Sequence, residues 1–146
     1  MNIRPLAPDF SISDQLQPRD VLDLAQAGVA SIVCNRPDGE APDQPGHDQI
    51  RAVAHDVGLA FAYLPITAGP NCVYDHEGFA SLRSELPGPV LAYCRTGTRS
   101  ASLWALAEAS AGRGTPDTLI ASAALAGCDL TGMRERLQSA WQTIDR

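Results

Sequence analysis

The chain has 146 residues, 45% of them apolar and 19% charged, with a net charge of −6, a composition that suits one soluble globular core. The acidic balance argues against nucleic acid, whose phosphates need a basic face, and no run approaches the ~20 apolar residues of a membrane span. We expect one domain over 1–146, no nucleic-acid or membrane partner and, because Met1-Asn2-Ile3-Arg4-Pro5 lacks a signal-peptide apolar core, a cytoplasmic location.

In chain order, Pro5, Pro8 and Asp9 make an irregular lead-in, and Phe10-Ser11-Ile12-Ser13 alternates like a short strand. A helix starts near Pro18 with Val21, Leu22, Leu24 and Ala25 forming a buried face, and Gly28 stops it. Val29 to Cys34 reads as a buried strand running into Asn35-Arg36-Pro37-Asp38-Gly39-Glu40, where Pro37 and Asp38-Gly39 force a turn. Ala41 to Gly46 is a linker, and His47 to Val57 a helix on which His47 and His55 read as surface residues.

Ala60 to Ile66 is the next strand, left through Thr67-Ala68-Gly69-Pro70-Asn71. A helix spans Tyr74 to Leu86, and Pro87-Gly88-Pro89 breaks it before the strand that ends at Tyr93. A long alanine- and leucine-rich helix follows. Thr115-Pro116-Asp117 then starts another, Gly127-Cys128-Asp129 interrupts, and Leu130 to Ile144 forms a last amphipathic helix on Leu137, Trp141 and Ile144. Strands alternating with helices predict a three-layer α/β/α fold around a mostly parallel sheet of four to five strands.

The most informative stretch is Cys94-Arg95-Thr96-Gly97-Thr98-Arg99-Ser100, a loop between strand and helix. The first turn of a helix has backbone N–H groups without internal partners, and its dipole makes that end electropositive. A cysteine there, beside Arg95 and Arg99, has its thiolate favoured and becomes a nucleophile near neutral pH. The Asn35 to Glu40 turn follows a neighbouring strand and, in an open parallel sheet, shares the ligand-binding edge. Asn35, Arg36, Asp38 and Glu40 are therefore rim candidates, and Asp75 is added as the acid nearest the segment Thr67 to Asn71. The four cysteines, Cys34, Cys72, Cys94 and Cys128, lack Cys-x-x-Cys spacing and read as reduced thiols. Cys72 and His76 stand four apart but in a loop context, so no metal or cofactor is expected.

Two enzyme families place a catalytic cysteine in such a loop. Tyrosine and dual-specificity phosphatases have five residues between Cys and Arg, usually with His before the Cys, whereas here four residues separate Cys94 from Arg99 and Tyr93 precedes the Cys. The pattern Cys-Arg-x-Gly-x-Arg is similar to the rhodanese active loop instead. Elsewhere, Ser11-Ile12-Ser13-Asp14-Gln15, Asn35 to Glu40, and Gly88 to Leu106 resemble the phosphatase-like domain of the β-lactamase-hydrolase-like proteins. That resemblance covers nearly the whole chain and implies a dual-specificity-phosphatase fold. Some members of that family carry a fused persulfide dioxygenase, which makes such an enzyme the partner candidate.

Fold and loop thus imply different reactions. A phosphatase loop must surround three phosphoryl oxygens and needs a carboxylic acid to protonate the leaving oxygen; Thr67 to Asn71 contains none, leaving Asp75 or Asp38. Sulfur transfer asks only that Cys94 attack the outer sulfur of thiosulfate or a persulfide, whose leaving group is already a good anion. The reading favoured is a sulfurtransferase acting through a Cys94 persulfide. The alternatives are a phosphatase acting through a phosphocysteine and an anion- or phosphopeptide-binding module. Cys94 is then the nucleophile, Arg99 and Arg95 orient the small anionic substrate, and the amides from Arg95 through Thr96, Gly97 and Thr98 to Ser100 form the cradle. The Ser100 hydroxyl is expected to bond the thiolate, as the hydroxyl after the Arg does in phosphatases.

Overall fold

A computed structural model describes residues 1–69 and 72–142. Its strands are β1 (Arg4–Ala7), β2 (Phe10–Ser13), β3 (Ser31–Cys34), β4 (Ala60–Tyr63) and β5 (Val90–Tyr93). Its helices are α1 (Asp20–Gln26), α2 (His47–Asp56), α3 (His76–Glu85), α4 (Thr98–Ser110), α5 (Pro116–Leu125) and α6 (Arg134–Gln142). The strands form one sheet in the order β1-β2-β5-β3-β4, parallel except for the antiparallel β1–β2 edge.

Side-chain alternation along the central strands divides the interior into two layers. Val33, Val90 and Ala92 face one core together with residues of α3, α4, α5 and α6, including Phe79, Leu103, Leu119 and Leu137. Ile32, Cys34, Leu91 and Tyr93 face the other, packed against Val21 and Leu24 of α1 and Ile50 and Ala54 of α2. Strands covered on both faces can be apolar at every position, which explains the unbroken run Val90-Leu91-Ala92-Tyr93. The expected three-layer α/β/α architecture is the one observed.

Helix α4 is buried at Arg99 through Ala107 and again at Ala109. It is apolar almost all round because it lies under the sheet on one side and under other helices on the rest. Its neighbour α5 begins as predicted, with a reciprocal capping box between Thr115 and Thr118 and Pro116 in the first turn.

Four expectations need correction. The lead-in is a strand: β1 is an edge, paired only to β2 with a register irregularity between Pro5 and Ala7, where a proline's missing N–H costs little. Leu22 is half exposed, because Val21 and Leu24 alone point inward from the short α1. The strand after Ala60 ends at Tyr63, three residues early. The last helix is divided into a 3-10 turn at Thr131–Met133 and α6 from Arg134, with Leu137 its buried anchor; Ile144 lies outside the described residues.

The core supports one direct test. Leu91, fully buried at the centre of the sheet, should cost ~2–5 kcal/mol when cut to Ala. Leu125, 93% exposed, should change stability by less than ~0.5 kcal/mol on the same substitution. Urea denaturation followed by far-UV circular dichroism measures both, and an equal loss at the two sites would contradict the layer assignment.

Candidate active site

The carboxyl ends of β5 and β3 lie side by side, with Tyr93 opposite Cys34 in the register. The chain leaves β5 through Cys94 and leaves β3 through Asn35, so the two loops meet as the parallel topology requires. Cys94 is only 1% exposed. Beside it opens a cleft of about 810 Å³ lined by Gln15, Arg36, Glu40, Asp43, Arg95, Thr96 and Arg99, among others.

Gly97 makes the loop possible. Its φ of 98° lies in the left-handed region, which costs glycine little, and there its N–H donates to Cys94 Sγ at 3.1 Å. The next amide, Thr98 N–H, goes to Thr96 Oγ1 at 3.4 Å. The amides of Arg95, Thr96, Arg99 and Ser100 have no protein acceptor among the described residues, the condition expected of a loop opening into the first turn of a helix. The loop therefore has one amide already on sulfur, one bonded to a side chain, and four with no protein acceptor among the described residues.

Arg99 is positioned from the other loop. Its Nη1 and Nη2 donate to the two oxygens of Glu40 at 2.8 and 2.9 Å, and Nη1 also donates to Ile66 O at 2.8 Å. Arg36 supports the same carboxylate, with Nε on Glu40 Oε1 at 3.0 Å and Nη1 on Gln15 Oε1 at 3.0 Å. Hydrogen bonds from Arg99 are the largest of several influences that hold the Glu40 carboxyl below its ordinary value of 4.5. In return Glu40, and after it the nearby Cys94, raise Arg99 above the ordinary arginine value against the opposing effect of burial. Arg36 and Glu40, expected only at the rim, are structural parts of the site. Arg95 is exposed on the cleft and has no carboxylate partner among the described residues.

The other candidates are committed elsewhere. Ser100 Oγ donates to Asn35 Oδ1 at 2.8 Å, so its one proton goes to Asn35 and not to the thiolate as expected. Asn35 in turn donates through Nδ2 to Leu64 O at 2.9 Å, which ties β3, β4 and α4 together beneath the loop. Asp38 accepts from His47 N at 2.8 Å and meets His47 Nδ1 at 2.6 Å. Burial raises the Asp38 carboxyl, and the His47 contacts more than reverse that and lower it. His47, expected at the surface, stacks on Tyr63 with ring centroids 3.7 Å apart. Asp75 caps α3, accepting from Gly78 N at 2.9 Å, and does not line the cleft. Neither aspartate expected as a proton donor is thus turned to the nucleophile.

Sequence reasoning passed over Gln15 and Arg4. Gln15 N–H donates to Arg95 O at 3.3 Å, and its side chain supports Arg36. Arg4 reaches from β1 to Thr96 O at 2.6 Å. Neither has a local signal, since a glutamine after a strand and an arginine near a terminus are ordinary surface residues. All four cysteines are free, and burial pushes the Cys34 thiol up to about 11, which makes it inert beside Cys94.

Comparison with known proteins supplies the family. The model of the β-lactamase hydrolase-like protein, phosphatase-like domain, matches residues 2–111. A β-lactamase hydrolase-like protein of Xylella fastidiosa strain Temecula1 is 35% identical over 130 residues, which cover 89% of this chain and 30% of that protein's length. The crystal structure of a candidate phosphatase from Neisseria meningitidis Z2491 superposes with a TM-score of 0.85 at 40% identity, covering 96% of this chain and 99% of that one. Tk-PTP in its active form shares the fold, with a TM-score of 0.70 at 15% identity over 98% of each chain.

The Glu40–Arg99 pair carries a pH prediction. Because the folded state holds the Glu40 carboxyl below 4.5, the pair's contribution is complete above the unfolded value and is lost as pH falls through the lower folded one. Glu40→Gln should cost ~1–3 kcal/mol near neutrality and weaken sulfate binding about 10-fold, because Arg99 loses its fork. Urea melts of both proteins should differ at neutral pH, and the difference should shrink as the pH falls below the ordinary carboxyl value of 4.5. A gap that persists undiminished in acid would show that the pair is not its source.

Proposed function

We propose that this chain, which belongs to the family of the phosphatase-like domain of β-lactamase hydrolase-like proteins, is a cysteine-dependent sulfurtransferase. The Cys94 thiolate attacks the outer sulfur of thiosulfate, the S–S bond breaks, and sulfite leaves with the electron pair. The resulting Cys94 persulfide is held by the loop amides and Arg99. An acceptor thiolate or cyanide then takes the outer sulfur and returns the thiolate. With a glutathione persulfide as donor, glutathione thiolate leaves in place of sulfite. We place this reaction in the cytoplasm, with a persulfide dioxygenase as the enzyme that handles the same persulfide pool.

The observation that carries this reading is that the carboxylates at and near the cleft, Asp43 apart, are already committed. Glu40 is held ionised between Arg36 and Arg99, Asp38 is spent on His47, and Asp75 on its helix cap. A leaving alkoxide or phenoxide needs a proton, whereas sulfite and thiolates leave as stable anions. The loop, one residue shorter than that of the phosphatases it resembles, also suits a single sulfur better than three phosphoryl oxygens.

The names of the relatives favour a second reading, phosphate-ester hydrolysis through a Cys94 phosphocysteine. The Neisseria protein is named as a phosphatase candidate, and none of the relatives compared above is named for sulfur transfer. That reading leaves Asp43, the remaining carboxylate lining the cleft, as the proton donor.

A side-by-side assay separates the two. Wild-type protein should transfer sulfur from thiosulfate to cyanide, gain the mass of one sulfur atom on Cys94, and hydrolyse aryl phosphate poorly. Cys94→Ser should abolish turnover, and Asp43→Asn should leave sulfur transfer unchanged. Inserting a glycine between Gly97 and Thr98 should lower sulfur transfer and raise phosphate affinity. Efficient Cys94-dependent phosphate hydrolysis that is lost in Asp43→Asn, without a persulfide, would establish the second reading instead. Anion binding with neither turnover would reduce the chain to a binding module.

A further inference from the structure

The peptide between Thr96 and Gly97 is gripped at both ends. Its N–H donates to Cys94 Sγ at 3.1 Å, and its carbonyl accepts from Arg4 Nη2 at 2.6 Å. In a trans peptide the C=O and N–H point in opposite directions, so whatever fixes the oxygen also aims the hydrogen. Nothing in Gly97 resists rotation of this peptide, since glycine occupies the left-handed region and its alternatives with similar ease. The restraint has to come from outside the loop.

Arg4 is itself held in place. Nη1 donates to Ala126 O at 2.8 Å and approaches Cys128 Sγ at 3.8 Å, while Nε donates to Asn2 O at 3.4 Å. The planar fork therefore spans from the end of α5 to the active loop. It also fills the space beside Gly97: a Cβ built there would lie 2.5 Å from Arg4 Nη2. The guanidinium and the glycine are two halves of one packing arrangement.

We propose that Arg4 is a positioning residue for Cys94, holding the Thr96–Gly97 peptide so that its N–H faces the nucleophile. This rests on the reading of Cys94 as the nucleophile. The arrangement is electrostatically consistent, because the cation sits at the oxygen end of the peptide dipole and the thiolate at its hydrogen end. A positive charge that never touches substrate thereby favours the reactive form of the sulfur through one polarised amide. Sequence gives no sign of this, because Arg4 and Thr96 are 92 positions apart.

The test is iodoacetamide alkylation of each cysteine, quantified by peptide mass spectrometry at about pH 7 and about pH 10, in wild type, Arg4→Ala and Arg4→Lys, with thermal melts establishing that each variant folds. In wild type, the ratio of the pH 7 rate to the pH 10 rate should be higher for Cys94 than for the half-buried Cys72. In Arg4→Ala the Cys94 rate at pH 7 should fall about 5-fold, the size of one ordinary hydrogen bond. The deficit should vanish near pH 10, where ordinary thiols are ionised, and Cys72 should be unaffected.

Lys keeps the charge but not the fork, so Arg4→Lys should recover part of the rate. The Gly97 amide proton resonance should follow Cys94 ionisation in wild type and lose that dependence in Arg4→Ala. A wild-type Cys94 whose ratio of pH 7 to pH 10 rate, which cancels access, is no higher than that of Cys72 would overturn the nucleophile reading and this one with it. A reactive wild-type Cys94 whose rate and Gly97 resonance are unchanged in both folded variants would overturn the Arg4 proposal alone. If Arg4→Ala does not fold, Arg4→Lys and the Gly97 resonance decide the question.

Discussion

A guanidinium that is nine-tenths buried must be both neutralised and aimed, and Glu40 does both for Arg99. A lone buried cation would face a large desolvation cost. A carboxylate facing it fork to fork offsets that cost and fixes the plane of the group. Because Glu40 comes from the loop after β3 and Arg99 from the start of α4, this pair also fastens the two loops that make the cleft. Arg36 and Gln15 extend the same network to the segment after β2. The loop is thus tied to its neighbours by charged side chains as well as by its own backbone.

Much of this was legible beforehand, for identifiable reasons. The periodic stretches, above all Val90 to Tyr93 and the capped start at Thr115, declare themselves through local chemistry. The Cys94 loop carries its own anion-binding pattern, and the resemblance to the β-lactamase-hydrolase-like family holds for most of the chain. Errors arose where a side chain's partner is distant in sequence. Asp38 and His47 looked like a rim acid and a surface histidine because their mutual bond depends on how the linker folds back. Ser100 was expected to serve the thiolate, but the buried Asn35 takes its proton. Edge strand β1 was missed since its prolines read as loop, and only pairing with β2 makes it a strand.

The site also shows how little separates two chemistries on one scaffold. Backbone amides without protein acceptors, an oriented arginine and a cysteine at the mouth of a helix can serve any small anion with an electrophilic centre. What distinguishes hydrolysis of an ester from passage of a sulfur is whether a proton can be delivered to the departing atom. Under the proposed reading, that decision lies outside the signature loop, in cleft carboxylates such as Asp43 and Glu40. Variation there would alter the reaction while leaving the motif intact.

The burial of α4 bears on where this unit begins and ends. The match to the family model stops at residue 111, yet α4 relies on what lies beyond. Leu119, Ala123, Leu130 and Leu137 complete the core around it, and Ala126 anchors the arginine that restrains the loop. A chain cut where the family model's match stops would keep every signature residue and lose the wall against which they are set. The span matched by the family model and the span that completes the core therefore differ in this protein, and a module transplanted into another chain should carry α5 and α6 with it.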